Sequence, residues 1–262
     1  MEKEIIIIGG GSSINEGIEK GLWEKIKNKI TIGTNYSYRF FNNPTIFCFV
    51  DYSFYNNTLN KDFVDNFPLV ITKIPNQKDQ REEFKKKKNF ILFPVSQTYK
   101  GTESLKKGIY TDRLVGLFSL TLAISLGFKK IFLLGMDFGC VNGRTHFYEN
   151  VLSHRGVGMR MTRDGKKRHN TFIYEKNPDE FYKVYLDDIK NRNIKIFNIS
   201  LRSKIPVFPK VNYNNFFKMI ERSKDYSQEE IRKKIRKQIE KELNEDDAKN
   251  RSKDRQKAEN QN

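Results

Sequence analysis

The sequence predicts an α/β fold: a three-layer Rossmann-like sandwich with a mainly parallel sheet, a long lid segment and a helical C-terminal tail. Three observations carry this. Residues 5–8 are four consecutive isoleucines followed by a glycine turn and a helical stretch, the opening of a βαβ unit. Short apolar runs recur between polar clusters, as parallel strands buried on both faces do. A helix that is apolar nearly all round, residues 114–126, leads straight into another such run at 131–134.

The elements follow in order. Residues 5–8 read as a central strand, Gly9-Gly10-Gly11-Ser12-Ser13 as a tight turn, and 15–28 as a helix. Strands are expected at 30–32, 45–50, 69–74 and 90–93, each bounded by Asn, Asp, Pro or Lys. The helix at 114–126 ends at Gly127, a natural C′ residue. The strand at 131–134 ends in Gly135-Met136-Asp137. From about 139 to 171 the chain loses its period and holds all three histidines, which marks this stretch as the lid. A helix at 178–191 and a strand at 194–199 complete a nucleotide-binding catalytic domain over residues 1–210. C-terminal helices are expected over 211–243, and a disordered polar tail over 244–262. Ile231, Ile235, Ile239 and Leu243 form one narrow apolar stripe, suited to a coiled coil, hence a homo-oligomer, or to an anionic membrane.

The formal net charge is +17, a field that attracts nucleic acid, anionic lipid head groups or phosphorylated small molecules. A lysine- and asparagine-rich composition accounts for it equally well. The run from Lys85 to Lys88 reads either as a solvated loop or as a contact for such polyanions. Two cysteines, Cys48 and Cys140, give neither a disulfide framework nor a zinc-site spacing, so no metal site is expected. No apolar run approaches the roughly 20 residues that span a bilayer, and the N-terminus does not read as a signal peptide. The expected compartment is the cytoplasm.

In a parallel sheet of this kind ligands bind at the carboxyl ends of the strands. That edge gathers Gly9, Gly10, Gly11, Ser12, Ser13, Asn35, Asp51 and Asp137. Glycines let backbone amides approach an anion, a following helix adds partial positive charge, and serine hydroxyls donate. The turn also reads as a plain tight turn with a serine N-cap. It matches neither G-x-G-x-x-G nor a Walker loop, so ordinary dinucleotide redox and P-loop hydrolysis are not expected. Asn35 and Asp51 suit ribose or base edges, and equally suit turns. Asp137 suits ribose, a sugar hydroxyl or a helix cap. Arg113, at the start of the apolar helix, either reaches a phosphate or pairs with a carboxylate. Lid cations neutralise a departing phosphate, and a lid histidine, His146, His154 or His169, suits general-base work.

The block from Val115-Gly116 through Ala123-Ile124-Ser125-Leu126-Gly127-Phe128-Lys129-Lys130-Ile131-Phe132-Leu133-Leu134-Gly135-Met136-Asp137 carries a pattern. Together with residues 5–14, Asn35 and Asp51, it resembles a group of related proteins. These are the Campylobacter-type bacterial sialyltransferases, the archaeal hydroxymethylpterin diphosphokinase-like proteins, the flagellin motility accessory factors and small phage proteins of this type. Gly143-Arg144-Thr145-His146-Phe147-Tyr148 looks like the phage branch. The resemblance spans about residues 4–205. It implies a metal-independent glycosyltransferase that moves a sugar from a nucleotide-sugar donor, a CMP-sugar or similar, to a glycan or other hydroxyl acceptor. No cofactor is implied. Gly9, Gly11, Ser13, Asn35 and Asp51 would hold the donor, with Gly116 in the place of the family's hydroxyl-glycine pair. Tyr148 would steady the leaving phosphate and His169 would be the base, with His146 beside them. The chain departs from the family at Ser12 (for Pro), Gly10 (for a polar residue), Val115 (for a hydroxyl) and Asp51 (for Asn).

Two alternatives stand beside this reading. One is a Mg²⁺-dependent diphosphokinase of the hydroxymethylpterin type, with Asp51 and Asp137 as ligands. The other is a non-enzymatic nucleic-acid-binding protein, with affinity that falls steeply with salt.

Overall fold

The structure, a computed structural model, describes residues 4–96, 105, 109–111, 114–139, 146–147, 159–161, 167–169, 179–190 and 192–259. Its centre is a seven-stranded, wholly parallel sheet. The strands are β1 (Glu4–Ile8), β2 (Thr31–Thr34), β3 (Ile46–Phe49), β4 (Val70–Lys73), β5 (Phe90–Phe93), β8 (Lys130–Leu134) and β11 (Lys195–Asn198), in the order β11-β8-β1-β2-β3-β4-β5. Two short pairs stand apart: β6 (Val95–Ser96) with β7 (Ile109–Tyr110), and β9 (Met159–Met161) with β10 (Lys167–His169). The expected α/β sandwich is the fold of the chain.

Alternation along the strands explains the three layers. In β1, Ile5 and Ile7 pack into one core while Ile6 and Ile8 pack into another on the opposite face. A strand covered on both faces has no position for a polar residue, which is why its sequence is uninterrupted isoleucine. One face is covered by α6 (Val115–Ser125), α7 (Glu180–Val184) and α9 (Gln228–Glu259). The other carries α1 (Ile14–Glu19), α2 (Leu22–Ile26) and α8 (Tyr213–Glu221) over β1 and β8. Over β3 to β5 that same face carries α3 (Tyr52–Tyr55), α4 (Thr58–Asn66) and α5 (Lys78–Lys85). There Phe47, Phe49, Tyr55, Phe84 and Phe90 make an aromatic core. This is where the aromatic share of the composition is spent, each ring burying more area than an aliphatic residue.

Several expectations change. The helix expected over 15–28 is two short helices, because Gly21 adopts φ +75 and breaks the ladder. The helix expected over 178–191 is α7 followed by a π-helical turn, Tyr185–Ile189. The disordered tail expected from residue 244 is not what the structure describes, since the α9 backbone is helical to Glu259. Its Ala, Glu, Lys, Arg and Gln content favours helix even without an apolar face.

The apolar stripe of α9 also has a different use. Ile231, Ile235 and Ile239 are buried in this chain's own core, so the stripe is not free for a coiled coil or a membrane. Polar side chains of α9 fix the helix across the amino ends of the strands. The Arg232 guanidinium donates to Pro44 O at 2.7 Å and Thr45 O at 3.2 Å, and Arg236 donates to Lys88 O at 3.1 Å and Asn89 O at 3.0 Å. Gln228 donates to Lys29 O at 2.9 Å and accepts from Thr45 Oγ1 at 2.7 Å. Asn89 O also accepts from Val70 N–H at 3.0 Å, so there α9 adds a second donor to a carbonyl with two lone pairs. Among the described residues no helix is long and apolar enough to cross a membrane.

Ile235 is 1% exposed, and Ile235→Ala would leave a cavity at the centre of this seam. The expected loss is about 2–5 kcal/mol, read as a lower midpoint in urea unfolding.

Candidate functional site

The chain runs outward from β1 through β5 on one side, then returns to place β8 and β11 on the other side of β1. The switch point therefore lies between β1 and β8, and a crevice opens at the carboxyl ends of the strands there. A cavity of about 200 Å³ fills it. Its walls come from the ends of β1, β2, β3 and β8 and from the start of α6.

The floor is the glycine turn, and alternate amides of it are taken up within the chain. Gly9 N–H donates to Leu134 O at 2.8 Å and Gly11 N–H to Gly135 O at 2.7 Å. Ser13 N–H donates to Asp137 Oδ2 at 2.7 Å, and Ser13 Oγ donates to Asp137 Oδ1 at 2.6 Å. The amides of residues 9, 11 and 13 are therefore committed within the chain: the first two continue the β1–β8 pairing past the strand ends, and the third bonds the Asp137 side chain. Close approach dictates the glycines. A Cβ on Gly9 would lie 2.6 Å from Gly135 O, and one on Gly11 would lie 2.5 Å from Asp137 Oδ2. Gly135 itself has φ +63. What the turn offers a ligand is a flat backbone surface. The following α1 is only six residues long.

Asp137 is a clamp. It is 2% exposed, and both carboxylate oxygens accept from Ser13. Each carboxylate oxygen thus already accepts one hydrogen bond from the glycine turn. Among the described residues no group of three acidic, histidine or cysteine side chains is placed to hold a metal ion.

The β2 end supplies a different chemistry. Thr34 Oγ1 donates to Ile8 O at 2.8 Å and ties β2 to β1. Asn35 then turns with φ 46, and its Oδ1 is buried with no hydrogen-bond partner among the described residues. Such an acceptor costs about 1–3 kcal/mol if left dry and unpaired. Of the described non-glycine residues with positive φ, which are Asn35, Phe138 and Asn193, the first two line the cavity. Backbone strain gathered at one site is a recurring mark of ligand clamps.

Asp51, just past β3, stands at the rim with its side chain open to solvent. Surrounding protein nevertheless crowds its carboxyl group enough to raise the pKa, and Lys73 pulls the other way with smaller effect. The α6 end adds the positive pole. Leu114, Val115 and Gly116 line the cavity, and the N-cap position, Leu114, supplies no side-chain cap. The first amides of an eleven-residue helix thus open onto the crevice. Gly116 brings them against Met136, whose sulfur would stand 2.6 Å from a Cβ there.

The cavity therefore unites Gly9, Gly10, Gly11, Asn35, Asp51, Gly116, Asp137 and His146. His146 is half-buried and bridges to Gly11, with Phe147 N–H donating to Gly10 O at 2.9 Å. Ser12 is buried and Ser13 is spent on Asp137, so neither lines it. His169 closes β10, paired with Met159, and its side chain lies outside the described residues. Arg113, Tyr148 and His154 lie wholly outside them. Tyr36, Met136 and Phe138 line the cavity without having been singled out in the sequence. Each directly adjoins a residue that was, and adjacency is the signal that could have found them. No known protein family, curated protein or solved structure matches the chain.

Two outcomes follow. Asp137→Asn keeps the shape but leaves one Ser13 donor without its acceptor. A loss of about 1–3 kcal/mol is expected in chemical denaturation. Asp51→Asn removes a carboxylate whose charged form the folded state disfavours. A raised acid pKa costs stability once pH rises through and above it. The variant is therefore expected to melt higher than the parent at neutral pH. The difference should close as pH falls toward the ordinary Asp value of 3.8.

Proposed function

We propose that this cavity is the donor site of a glycosyltransferase-like enzyme that uses a nucleotide-sugar. The observation that carries the reading is the convergence of four kinds of group in one crevice. These are a glycine floor, an acceptor-rich rim at Asn35 and Asp51, an uncapped helix start at α6, and His146. The nucleoside lies on the glycine backbone, where side chains are absent. Its ribose or base donors meet Asn35 Oδ1 and Asp51. The phosphate faces the α6 amides, since no Lys or Arg lines the described cavity.

In the reaction the bond from the sugar's anomeric carbon to the phosphate oxygen breaks, and the leaving nucleotide keeps the electron pair. A bond forms from that carbon to an acceptor hydroxyl oxygen, of a glycan or another alcohol. A histidine takes the hydroxyl proton. His146 stands at the cavity, and His169 is the base that the family resemblance implies.

A thermal-shift panel of CMP, UDP, GDP, ADP and their sugars tests this. A ligand at one hundred times its Kd stabilises the native state by about 2.7 kcal/mol. At least one nucleotide should raise the Tm, and Asn35→Ala should shrink that rise. His146→Ala should keep the rise and lose transfer to acceptor. Silence across the whole panel would remove the proposal.

A further inference from the structure

The described cavity lining contains two carboxylates and no Lys or Arg, although the chain carries a net charge of +17. The basic residues gather elsewhere. Residues 78–88 and 228–243 together hold twelve Lys and Arg against seven Asp and Glu. The fold joins these two segments. Arg236 donates to Lys88 O, Asn89 O and Pro68 O, which fixes the Lys85–Lys88 turn beside α9 at the amino edge of the sheet. This edge is opposite the candidate donor site.

Lys86, Lys88, Lys234 and Lys237 are exposed, and none forms an ion pair among the described residues. Lys233 is also exposed and pairs only with Glu229, a solvated i,i+4 contact at 2.6 Å. Such pairs contribute little and exchange readily for another anion. Lys233 and Lys237 are four residues apart on one helix face, about 6 Å along the axis, so the charges form a row and not a point.

We propose that this amino-edge face binds the phosphate backbone of duplex nucleic acid without sequence preference. Two observations choose this partner. The apolar stripe of α9 is buried, so the helix has nothing to insert into a bilayer. The exposed large apolar side chains, Leu59, Tyr182, Leu186 and Leu201, all lie on other segments, so among the described residues the face has no exposed ring on which single-stranded bases could stack. What remains is a group of exposed lysines on α9 and on the turn it holds, suited to a polyanion read by charge alone. The face is independent of the donor site, and either assignment can fail without the other.

Fluorescence anisotropy with a labelled 20-base-pair duplex, titrated between 50 and 200 mM salt, tests the proposal. Four phosphate contacts predict a slope of about −3.6 in log K against log salt. The variant Lys86→Gln/Lys88→Gln/Lys234→Gln/Lys237→Gln should lose at least about tenfold in affinity at 50 mM and most of that slope. Its Tm should match the parent's. If the fourfold variant does not fold, Lys86→Gln/Lys88→Gln alone should remove about half the slope. The proposal is overturned by absence of duplex binding at 50 mM salt, or by binding that these variants leave unchanged. Lysine-dependent capture by phosphatidylserine vesicles in place of the duplex overturns it in favour of a membrane.

Discussion

The two oxygens of Asp137 hold the centre of this molecule together. They take the amide and the hydroxyl of Ser13, residues 124 positions apart in sequence. With the Gly9 and Gly11 amides they extend the pairing of β1 and β8 beyond the strands themselves. The cavity lies over these two joined turns and the end of β2, which Thr34 ties to Ile8 O. A carboxylate accepting two hydrogen bonds in a dry place is a strong junction, since charged acceptors bond more tightly than neutral ones. Everything that lines the cavity is positioned relative to that junction.

The fold was largely legible because its strongest signals are local. Four consecutive isoleucines can only be a strand covered on both faces, and the 114–126 helix has almost no polar position to misread. The elements that went unrecognised are those whose stability is tertiary. Helix α5 is eight residues with a single buried side chain, Phe84, set among charges. Nothing in its period announces a helix, and the aromatic core beneath it is what fixes it. The stripe on α9 was legible as a stripe but not by its partner. A row of isoleucines every fourth residue looks the same whether it meets a second chain, a bilayer or the amino edge of its own sheet.

The site shows the same division. The positions were readable from strand ends, and most of the residues expected there do meet in the cavity. Their roles were less readable. The glycine turn suggests amides waiting for an anion, while the structure commits three of them, at residues 9, 11 and 13, to β8 and the turn that follows it. A donor and its acceptor more than a hundred residues apart leave no trace in spacing. The start of α6 offers a positive pole as well, because its N-cap residue, Leu114, has no side-chain acceptor for the first amides. The role of Asn35 was indistinguishable from that of a turn former until its oxygen was seen buried and unmatched.

The path of α9 has a consequence for the order of events during synthesis. All seven strands of the main sheet have been synthesised before residue 228 is added. Until then the loops at 44–45 and 88–89 lack the guanidinium groups that cap them, and the patch awaiting Ile231, Ile235 and Ile239 is open to water. A nascent chain paused there would present a sticky surface of the kind that chaperones recognise. The helix thus acts as a latch that drops after the sheet it covers is made.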